Sequence, residues 1–450
     1  MKIPQAAPSF ETLIDELSKN NRLSYIVKHS EISEEHNKYQ HWDELRRRPV
    51  GSVCSHREKW AALKIRRRSA YRKIPLYDMK QEPFNYYITD VVQELLHKID
   101  SGAGGVIGIS DSVTNSQARD RYVINSLIEE AITSSQMEGA VSTREVARDM
   151  IKSGRKPRDR SEQMILNNFS TMKEIIALKD QDLTPELVFS IHECVTRNTL
   201  DKPDAAGRLR TRDEKISIVD QEGTVYHLPP PADELSDRMQ RMCDFANGKT
   251  PERFVHPAIR AIILHFWLAY DHPFYDGNGR TARALFYWAM LRHGYWIFEY
   301  ISISRILVQS PSKYARSFLF SESDDNDLNY FIIYQTEVIN KAIIGLHEYI
   351  ERKNQELQDA VANLRYLKQL NYRQQAVVIH AMSHPYQEYS IESHRLSHGT
   401  AYATARSDLL ELDRLGLLKS YKRGKAIFFE PGAQMEVKLT AGWNGNLVRL

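Results

Sequence analysis

Cysteine is scarce in this chain of 450 residues. Its three cysteines, Cys54, Cys194 and Cys243, are far apart and odd in number, so they suggest neither a disulfide framework nor a zinc site. The first ten residues lack the apolar segment of a secretion signal. The longest apolar run contains Arg260 and is too short to span a bilayer. We therefore expect a cytoplasmic protein with no membrane partner.

An excess of charge of one sign is also missing. The chain has 61 basic and 58 acidic residues and a net charge of +3, which does not indicate a nucleic-acid binder as a whole. A hydrophobic content of 42% and a charged content of 26% describe an ordinary globular protein. Two basic clusters, Arg46–Arg48 and Arg66–Arg68, are predicted to be solvated faces, and nucleic-acid contact is the less favoured alternative.

The chain is organised around the segment His272–Arg283 (HPFYDGNGRTAR). The apolar run Ala258–Tyr270 precedes it, and the amphipathic run Thr281–His293 follows it. Pro257 matches the start of a first helix, and Gly294 matches the end of a second. The sequence therefore predicts helix, tight loop, helix, with the loop at the amino terminus of a helix whose first N–H groups are unpaired. Such a position favours an anion, and phosphate is the usual one.

Five residues of this segment suit a bound polyphosphate. Gly277 and Gly279 let the main chain curl into a concave set of N–H donors. Arg280 and Arg283 are spaced i, i+3, so both can reach one polyphosphate. Asp276 suits Mg²⁺, which prefers one or two carboxylates together with phosphate oxygens.

His272 stands at the entrance of the loop, where a neutral imidazole can take a proton from an attacking hydroxyl. The alternative is a glycine-rich turn between two core helices, with its arginines in solvent. That alternative leaves the combination of His, Asp, Gly-Asn-Gly and Arg-x-x-Arg unexplained.

Position for position, the segment resembles the signature of the Fic family, H-x-F-x-[D/E]-G-N-G-R-x-x-R. Fic proteins mostly move AMP from ATP to a hydroxyl side chain of a target protein. The resemblance implies a mainly α-helical Fic core, a general base at His272 and a Mg²⁺ ligand at Asp276. It assigns the phosphates of ATP to Gly277, Asn278, Gly279, Arg280 and Arg283. The implied reaction is in-line attack of a Ser, Thr or Tyr hydroxyl on the α-phosphate, with pyrophosphate leaving.

An earlier segment resembles a second Fic feature. Periodicity predicts a helix over Arg121–Met137, closed by Gly139. Ser134 and Glu138 share one face, and a carboxylate in the last turn opposes the helix dipole. The pattern is similar to the Fic inhibitory motif [S/T]-x-x-x-E-[G/N], whose Glu pairs with the second signature arginine, here Arg283. The resemblance implies an autoinhibited enzyme with an N-terminal inhibitory helix, and relatives sometimes use this Glu to remove AMP.

Residues 212–230 predict a β-hairpin in a chain that otherwise reads as helical. Apolar and polar residues alternate over Lys215–Val219, and a turn follows. The second strand, Thr224–Leu228, then runs back and ends before three prolines. The resemblance implies a flap whose edge strand pairs with an extended segment of the target protein. His192 and Glu193 begin like a zinc-protease motif, but no second histidine follows at i+4, so a metal site there is rejected.

The C-terminal part reads as three helices and a hairpin with a basic tip, Lys422–Lys425. The predicted helices cover 373–383, 390–398 and 400–416, and the strands cover 417–421 and 426–430. This pattern resembles a winged helix. Its recognition helix carries acidic Asp408, Glu411 and Asp413, so DNA binding and protein docking are equally favoured.

The expected organisation has four parts: an N-terminal helical region (1–110), a Fic core (111–362), a winged-helix-like domain (363–432) and a tail (433–450). Within the core, the inhibitory helix covers 121–139. The expected activity is protein adenylyltransferase, with ATP and Mg²⁺. The alternatives are a DNA-binding regulator whose core only senses nucleotide and a transferase that moves phosphate from ATP. Glycine at both 277 and 279 favours AMP, and a homodimer is left open.

Overall fold

The computed structural model describes residues 2–28, 39–49, 55–103, 116–219, 223–366, 370–384, 387–423 and 426–433, with Met435 and Leu439. Residues 104–115, the flap turn at 220–222, Gly424 and Lys425 of the wing tip, and most of the tail lie outside these residues. Helices dominate, as predicted, and no helix in the described ranges combines the length and apolar character needed to cross a membrane. The chain divides into two compact units.

Unit 1 comprises Met1–Ile107 and Ile124–Ile343. Its helices are α1 (Phe10–Lys19), α2 (Leu23–Lys28), α3 (Trp42–Leu45), α4 (His56–Ala70), α5 (Asp90–Ala103), α6 (Ser116–Met137), α7 (Arg144–Ser153), α8 (Arg160–Leu178), α9 (Pro185–Thr196), α10 (Leu235–Ala246), α11 (Pro257–Asp271), α12 (Asn278–Arg292), α13 (Ser304–Leu307) and α14 (Pro311–Ser323). The helix α6 and the long helix α15 (Asn329–Tyr366) each contribute residues to both units. Two antiparallel hairpins complete unit 1: β1 (Arg72–Tyr77) with β2 (Pro83–Tyr86), and β3 (Ile218–Val219) with β4 (Val225–His227).

The helices α11 and α12 form the core of unit 1. Nearly every residue of both is buried; α11 is apolar on almost all sides, whereas α12 also buries the polar side chains of Asn278, Arg280, Thr281 and Arg283. Pro257 opens α11 and Gly294, with a φ of +83°, follows the end of α12, as predicted. The second helix starts at Asn278, three residues before the predicted Thr281. The earlier start is possible because contacts with the rest of the fold stabilise the Gly-Asn-Gly segment at the first helical turn.

The hairpin β1–β2 was not expected from the sequence, which predicted a single hairpin before the C-terminal domain. Pro75 lies inside β1 and Pro83 opens β2, and proline in a run of residues argues against a strand. The ladder is irregular between Lys73 and Tyr77, so the register accommodates the proline.

The predicted solvated faces near the N-terminus need one correction. Trp42 and Trp60 are buried in a cluster with leucines of α1 and α4. Arg67, however, is only 1% exposed, lies over the ring of Tyr39 and donates to the hydroxyl of Tyr330. The middle of the second basic cluster therefore anchors α4 inside unit 1 rather than facing solvent.

Unit 2 comprises Gly108–Val123 and Ile344–Leu450. Its elements after α15 are α16 (Tyr372–Ser383), β5 (Tyr389–Ser390), α17 (Ile391–His398), α18 (Tyr402–Arg414), β6 (Leu418–Arg423) and β7 (Ala426–Pro431). The strands form an antiparallel sheet in the order β5-β7-β6. The three helices and the hairpin lie where they were predicted, and a separate apolar cluster packs them together. The winged-helix assignment itself stays a prediction.

Candidate active site

The loop between α11 and α12 is held by an asparagine of its own motif. The Oδ1 atom of Asn278 accepts from the Phe274 N–H at 2.9 Å, and its Nδ2 atom donates to the Phe274 carbonyl at 2.8 Å. His272 and Gly277 bracket the loop in the left-handed region, with φ values of +45° and +83°. Because both ends of the Asn278 amide are used, its side chain braces the loop, and its assignment to phosphate stays a prediction.

His192, which the sequence reading rejected as a metal ligand, supports the same loop from α9. Its ring stacks on Phe274 with centroids 3.8 Å apart, and its Nε2–H donates to the Asp276 carbonyl at 2.8 Å. Its Nδ1 atom accepts from the Gly207 N–H at 3.0 Å. Burial lowers the pKa of His192 to about 4, so the ring is neutral at physiological pH. No sequence signal linked His192 to the loop, which lies about eighty residues further on.

His272 ends α11 with its ring neutral and one nitrogen free. Burial lowers its pKa to about 4, against the opposing effects of its bond to the Ala269 carbonyl and of Glu138. The Nδ1–H donates to that carbonyl at 3.3 Å, which leaves the lone pair on Nε2. The His272 carbonyl accepts from Nε of Arg210 at 3.0 Å. This arrangement presents Nε2 as a proton acceptor.

The flap is tied to the carboxyl end of α11 by a second histidine. The Nε2–H of His227 in β4 donates to the Tyr270 carbonyl at 2.7 Å, and its Nδ1 lies 2.7 Å from the carboxylate of Glu322 in α14. Burial opposes the charged ring, but Glu322 and the Tyr270 carbonyl outweigh it, so the pKa of His227 is raised. His227 therefore joins β4, α11 and α14, and it contacts α11 at Tyr270, two residues before His272.

Arg280 and Asp276 lie at the amino end of α12. Arg280 is 1% exposed, and its Nη1 donates to the Val195 carbonyl at 3.0 Å. Its Nε–H is buried with no hydrogen-bond partner in the described part of the chain. The side chain of Asp276 is 42% exposed, and one of its oxygens lies 4.0 Å from Nη2 of Arg280. An orphaned buried donor next to an open carboxylate suits a bound polyphosphate.

The structure brings Glu138, Ser134 and Arg283 together, as the sequence predicted. Nη2 of Arg283 donates to Oε1 of Glu138 at 2.8 Å and to the Ser134 carbonyl at 3.0 Å, and Nε donates to Oγ of Ser134 at 2.8 Å. Burial raises the pKa of Glu138, but Arg283 more than offsets this, so the pKa is lowered and the carboxylate is charged. A Cβ atom on Gly279 would lie 2.1 Å from Oε1 of Glu138. The carboxylate therefore rests against the first turn of α12.

A buried glutamate anchors the helix that carries Glu138. Oε2 of Glu130 in α6 accepts from the hydroxyl of Tyr287 at 2.9 Å, the hydroxyl of Ser302 at 2.8 Å and the N–H of Ser304 at 3.1 Å. Its Oε1 accepts from the Ser304 hydroxyl at 2.5 Å. These bonds attach α6 to α12 and to the segment before α13.

A cavity of about 700 Å³ opens beside these groups. Four of the predicted site residues line it: Glu138, His272, Gly279 and Arg283. The flap residues Ile218 and Val219 form another part of its wall, and α14 contributes Tyr314. The cavity is large enough for a nucleotide and for part of a second molecule.

Comparison with known proteins matches residues 182–290 to the family described as "Fic/DOC family". The chain is 27% identical over 209 residues to the protein adenylyltransferase Fic of Nematostella vectensis, covering 45% of this chain and 46% of that protein. It is 41% identical over 69 residues to the protein of the same name from Drosophila willistoni, covering 15% and 14%. The chain thus spans less than half the length of these curated relatives.

One solved structure supports the fold. The crystal structure of a Fic family protein from Desulfovibrio desulfuricans aligns with 77% of this chain and 98% of its own, with a TM-score of 0.52 and 19% identity. Residues 182–290, which match this family model, contain α9, the flap, α11 and most of α12.

Proposed function

We propose that this chain, which matches the Fic/DOC family over residues 182–290, is a protein adenylyltransferase that moves AMP from ATP to a hydroxyl of a target protein. The observation that carries the proposal is the His272 ring, which is neutral and has its Nε2 lone pair free beside the first turn of α12. The names of the relatives support the same reaction class.

The proposed chemistry is positioning and charge neutralisation around an in-line attack. Nε2 of His272 takes the proton from the target hydroxyl as that oxygen attacks the α-phosphorus of ATP. A new P–O bond forms to the target, the bond to the β-phosphate oxygen breaks, and pyrophosphate leaves. Arg280, the N–H groups of the first turn of α12, and Arg283 neutralise the phosphate charge.

The fit of Mg²⁺ rests on Asp276. Its carboxylate is 42% exposed beside the phosphate-binding turn, and Mg²⁺ is usually held by one or two carboxylates plus substrate phosphates. No cluster of three or more His, Cys, Asp or Glu side chains that could hold a metal occurs in the described ranges, which agrees with a metal that needs ATP oxygens. When bound, the ion would neutralise phosphate charge.

In the proposed resting state, Glu138 inhibits the transfer. Its carboxylate pairs with Arg283 and rests against Gly279, so it lies where the γ-phosphate would meet the second signature arginine. A hydrogen bond to a charged group is worth about 1.5–3 kcal/mol, a bias of about ten- to a hundredfold toward the occupied arginine. ATP can still bind through Arg280, but with its α-phosphate turned away from attack.

The target protein is proposed to pair with the flap. Ile218, Val219 and Val225 are 38%, 49% and 50% exposed, which is unusual for apolar residues of such a short hairpin. The wall that Ile218 and Val219 form faces the same cavity as His272. An extended segment added to this edge by β-augmentation would bring its hydroxyl toward Nε2.

The test uses ATP labelled separately at the α- and γ-phosphates, incubated with the Glu138→Gly variant and a cell lysate. The proposal expects the α-label on protein and no γ-label, and no label at all with Glu138→Gly combined with His272→Ala. Transfer of the γ-label instead would mean phosphate transfer. No label from either position would contradict an enzyme and favour a nucleotide-sensing protein.

A further inference from the structure

The helices α17 and α18 of unit 2 form a helix-turn-helix. Three residues, Gly399 to Ala401, join them, and Gly399 has a φ of +56°, which ends α17 in the left-handed region. A connection of three or four residues containing glycine is typical of helix-turn-helix units whose second helix enters the DNA major groove.

The buried acidic residue of α18 does not oppose DNA. Asp408 is 4% exposed and occupies a position on the core stripe with Ala405, Leu409 and Leu412. Its carboxylate is bound to Nε of Arg373 at 2.7 Å. It therefore contributes no negative charge to the surface.

The other two acidic residues of α18 are also engaged within unit 2. Asp413 accepts from the N–H of Ser420 at 3.1 Å and from its hydroxyl at 2.7 Å. Glu411 pairs with Arg414 at 2.6 Å, in the last turn of the helix. Both lie in the second half of α18, away from its amino-terminal half.

The amino-terminal half of α18 exposes side chains suited to base edges. Tyr402, Ala403, Arg406 and Ser407 are exposed, and their spacing puts them on one side of the helix. Arg406 forms no hydrogen bond or ion pair with any other described residue, so its guanidinium is open to a ligand. Arginine recognises guanine through two hydrogen bonds, and serine can form hydrogen bonds with several bases.

The wing adds positive charge. Lys419 and Lys422 of β6 are exposed and form no ion pair with other residues that the structure describes. Arg423 pairs with Glu388. Unpaired lysines favour a polyanion, since lysine is depleted in protein–protein interfaces.

We propose that unit 2 binds duplex DNA, with the amino-terminal half of α18 in the major groove. Arg406 contacts a base edge, and Lys419 and Lys422 contact phosphates. This assignment does not depend on the transferase activity of unit 1.

The test exposes the full-length protein to a pool of duplexes with a random central segment, at one fixed salt concentration, and sequences the retained DNA over several rounds. We expect one enriched motif. Arg406→Ala should lower affinity for that motif by about ten- to a hundredfold. Lys422→Ala should weaken binding to all duplexes alike and reduce the slope of log affinity against log salt by about one.

The matched control is Arg414→Ala, which removes an arginine from the same helix that is already paired with Glu411. Its affinity should stay within about twofold of the wild type, and each variant should melt at the wild-type temperature. Absence of any enriched motif would overturn the proposal, whether or not this surface binds a protein instead. Equal losses in Arg406→Ala and Arg414→Ala, or no loss in a folded Arg406→Ala protein, would overturn it as well.

Discussion

His192 and His272 have the same lowered pKa, about 4, but different roles. Both are neutral because burial disfavours the charged ring. His192 uses both nitrogens, one toward Asp276 and one toward Gly207. Among the described residues, His272 uses only Nδ1, so its Nε2 can take a proton. Hydrogen bonding, rather than pKa, therefore separates the positioning residue from the proposed base.

We predict that His192→Ala lowers labelling by the Glu138→Gly variant by about ten- to a hundredfold, because small shifts of a phosphate-binding loop misalign the reacting atoms. The change also leaves the Asp276 carbonyl and the Gly207 N–H without their partner. The measurement is the rate of α-label transfer at saturating ATP.

The control for this prediction is His97→Ala, an exposed histidine of α5. It should label at the parent rate. A His192→Ala protein that labels as fast as its parent would show that the ring only fills space beside Phe274.

The motif residues could be predicted from the sequence because twelve consecutive positions carry them. His192 could not, because it reaches the loop only through the fold. Asp408 is an intermediate case. It was read as a surface charge, yet its position three residues after Ala405 and four before Leu412 already pointed to the core.

At the level of elements, the helix α6, which carries Glu138 at its end, is held by Glu130 as well as by the ion pair of Glu138 with Arg283. Glu130 accepts bonds from Tyr287, Ser302 and Ser304, all of them buried. The position of Glu138 therefore depends on a contact just over two helical turns earlier, about eight residues along α6.

We predict that Glu130→Gln loosens α6 without removing Glu138. The amide has a single acceptor oxygen, so at least one buried donor is left unpaired, at a cost of about 1–3 kcal/mol. Hydrogen exchange of the amides in residues 130–139 should accelerate. The matched control is Glu129→Gln. Glu129 is the neighbouring residue and pairs with Arg148 at the surface, so this change should not alter the exchange rates. Unchanged exchange in Glu130→Gln would mean that the ion pair alone positions the helix.

The element predictions succeeded where the hydrophobic pattern was long, as in α11 and α12. They failed at β1–β2, because Pro75 and Pro83 hid a hairpin that the surrounding fold stabilises. They also placed the start of α12 too late, because Gly-Asn-Gly reads as a turn until the Asn278 brace is known.

At the scale of the whole molecule, four histidines with lowered pKa values make stability depend on pH. The pKa of His41, His192 and His272 is lowered to about 4, and that of His265 to about 3, mainly by burial. In the unfolded chain they titrate near the ordinary value of about 6.5. Between these values the unfolded chain binds more protons, so stability falls as pH drops from about 6.5 toward 4.

His227 has the opposite sign. Its pKa is raised, so its contribution is present at low pH and is lost as pH rises through its folded value. It cannot cancel the loss in the acidic range, because there it is protonated in both states.

We predict that His265→Gln flattens this dependence. Near pH 5 the wild-type ring is neutral when folded and charged when unfolded, so the slope of the unfolding free energy should fall by about 1.4 kcal/mol per pH unit. The measurement is urea unfolding from pH 4.5 to 6, followed by the tryptophans, five of which lie in unit 1. The surface change His97→Gln should leave the slope unaltered, and an unaltered slope in His265→Gln would contradict a neutral buried ring.

The central claim is that Glu138 restrains an otherwise complete active site. The most direct measurement compares the rate of α-label transfer by the wild type and by Glu138→Gly, at matched stability and ATP. We expect at least a tenfold higher rate in Glu138→Gly, in line with the ten- to hundredfold bias expected from the Arg283 pair. Ser134→Ala should give a smaller rise. Glu138→Gly combined with His272→Ala should transfer no label. Equal rates in the wild type and Glu138→Gly would contradict it and leave Glu138 as an ordinary residue at the end of a helix.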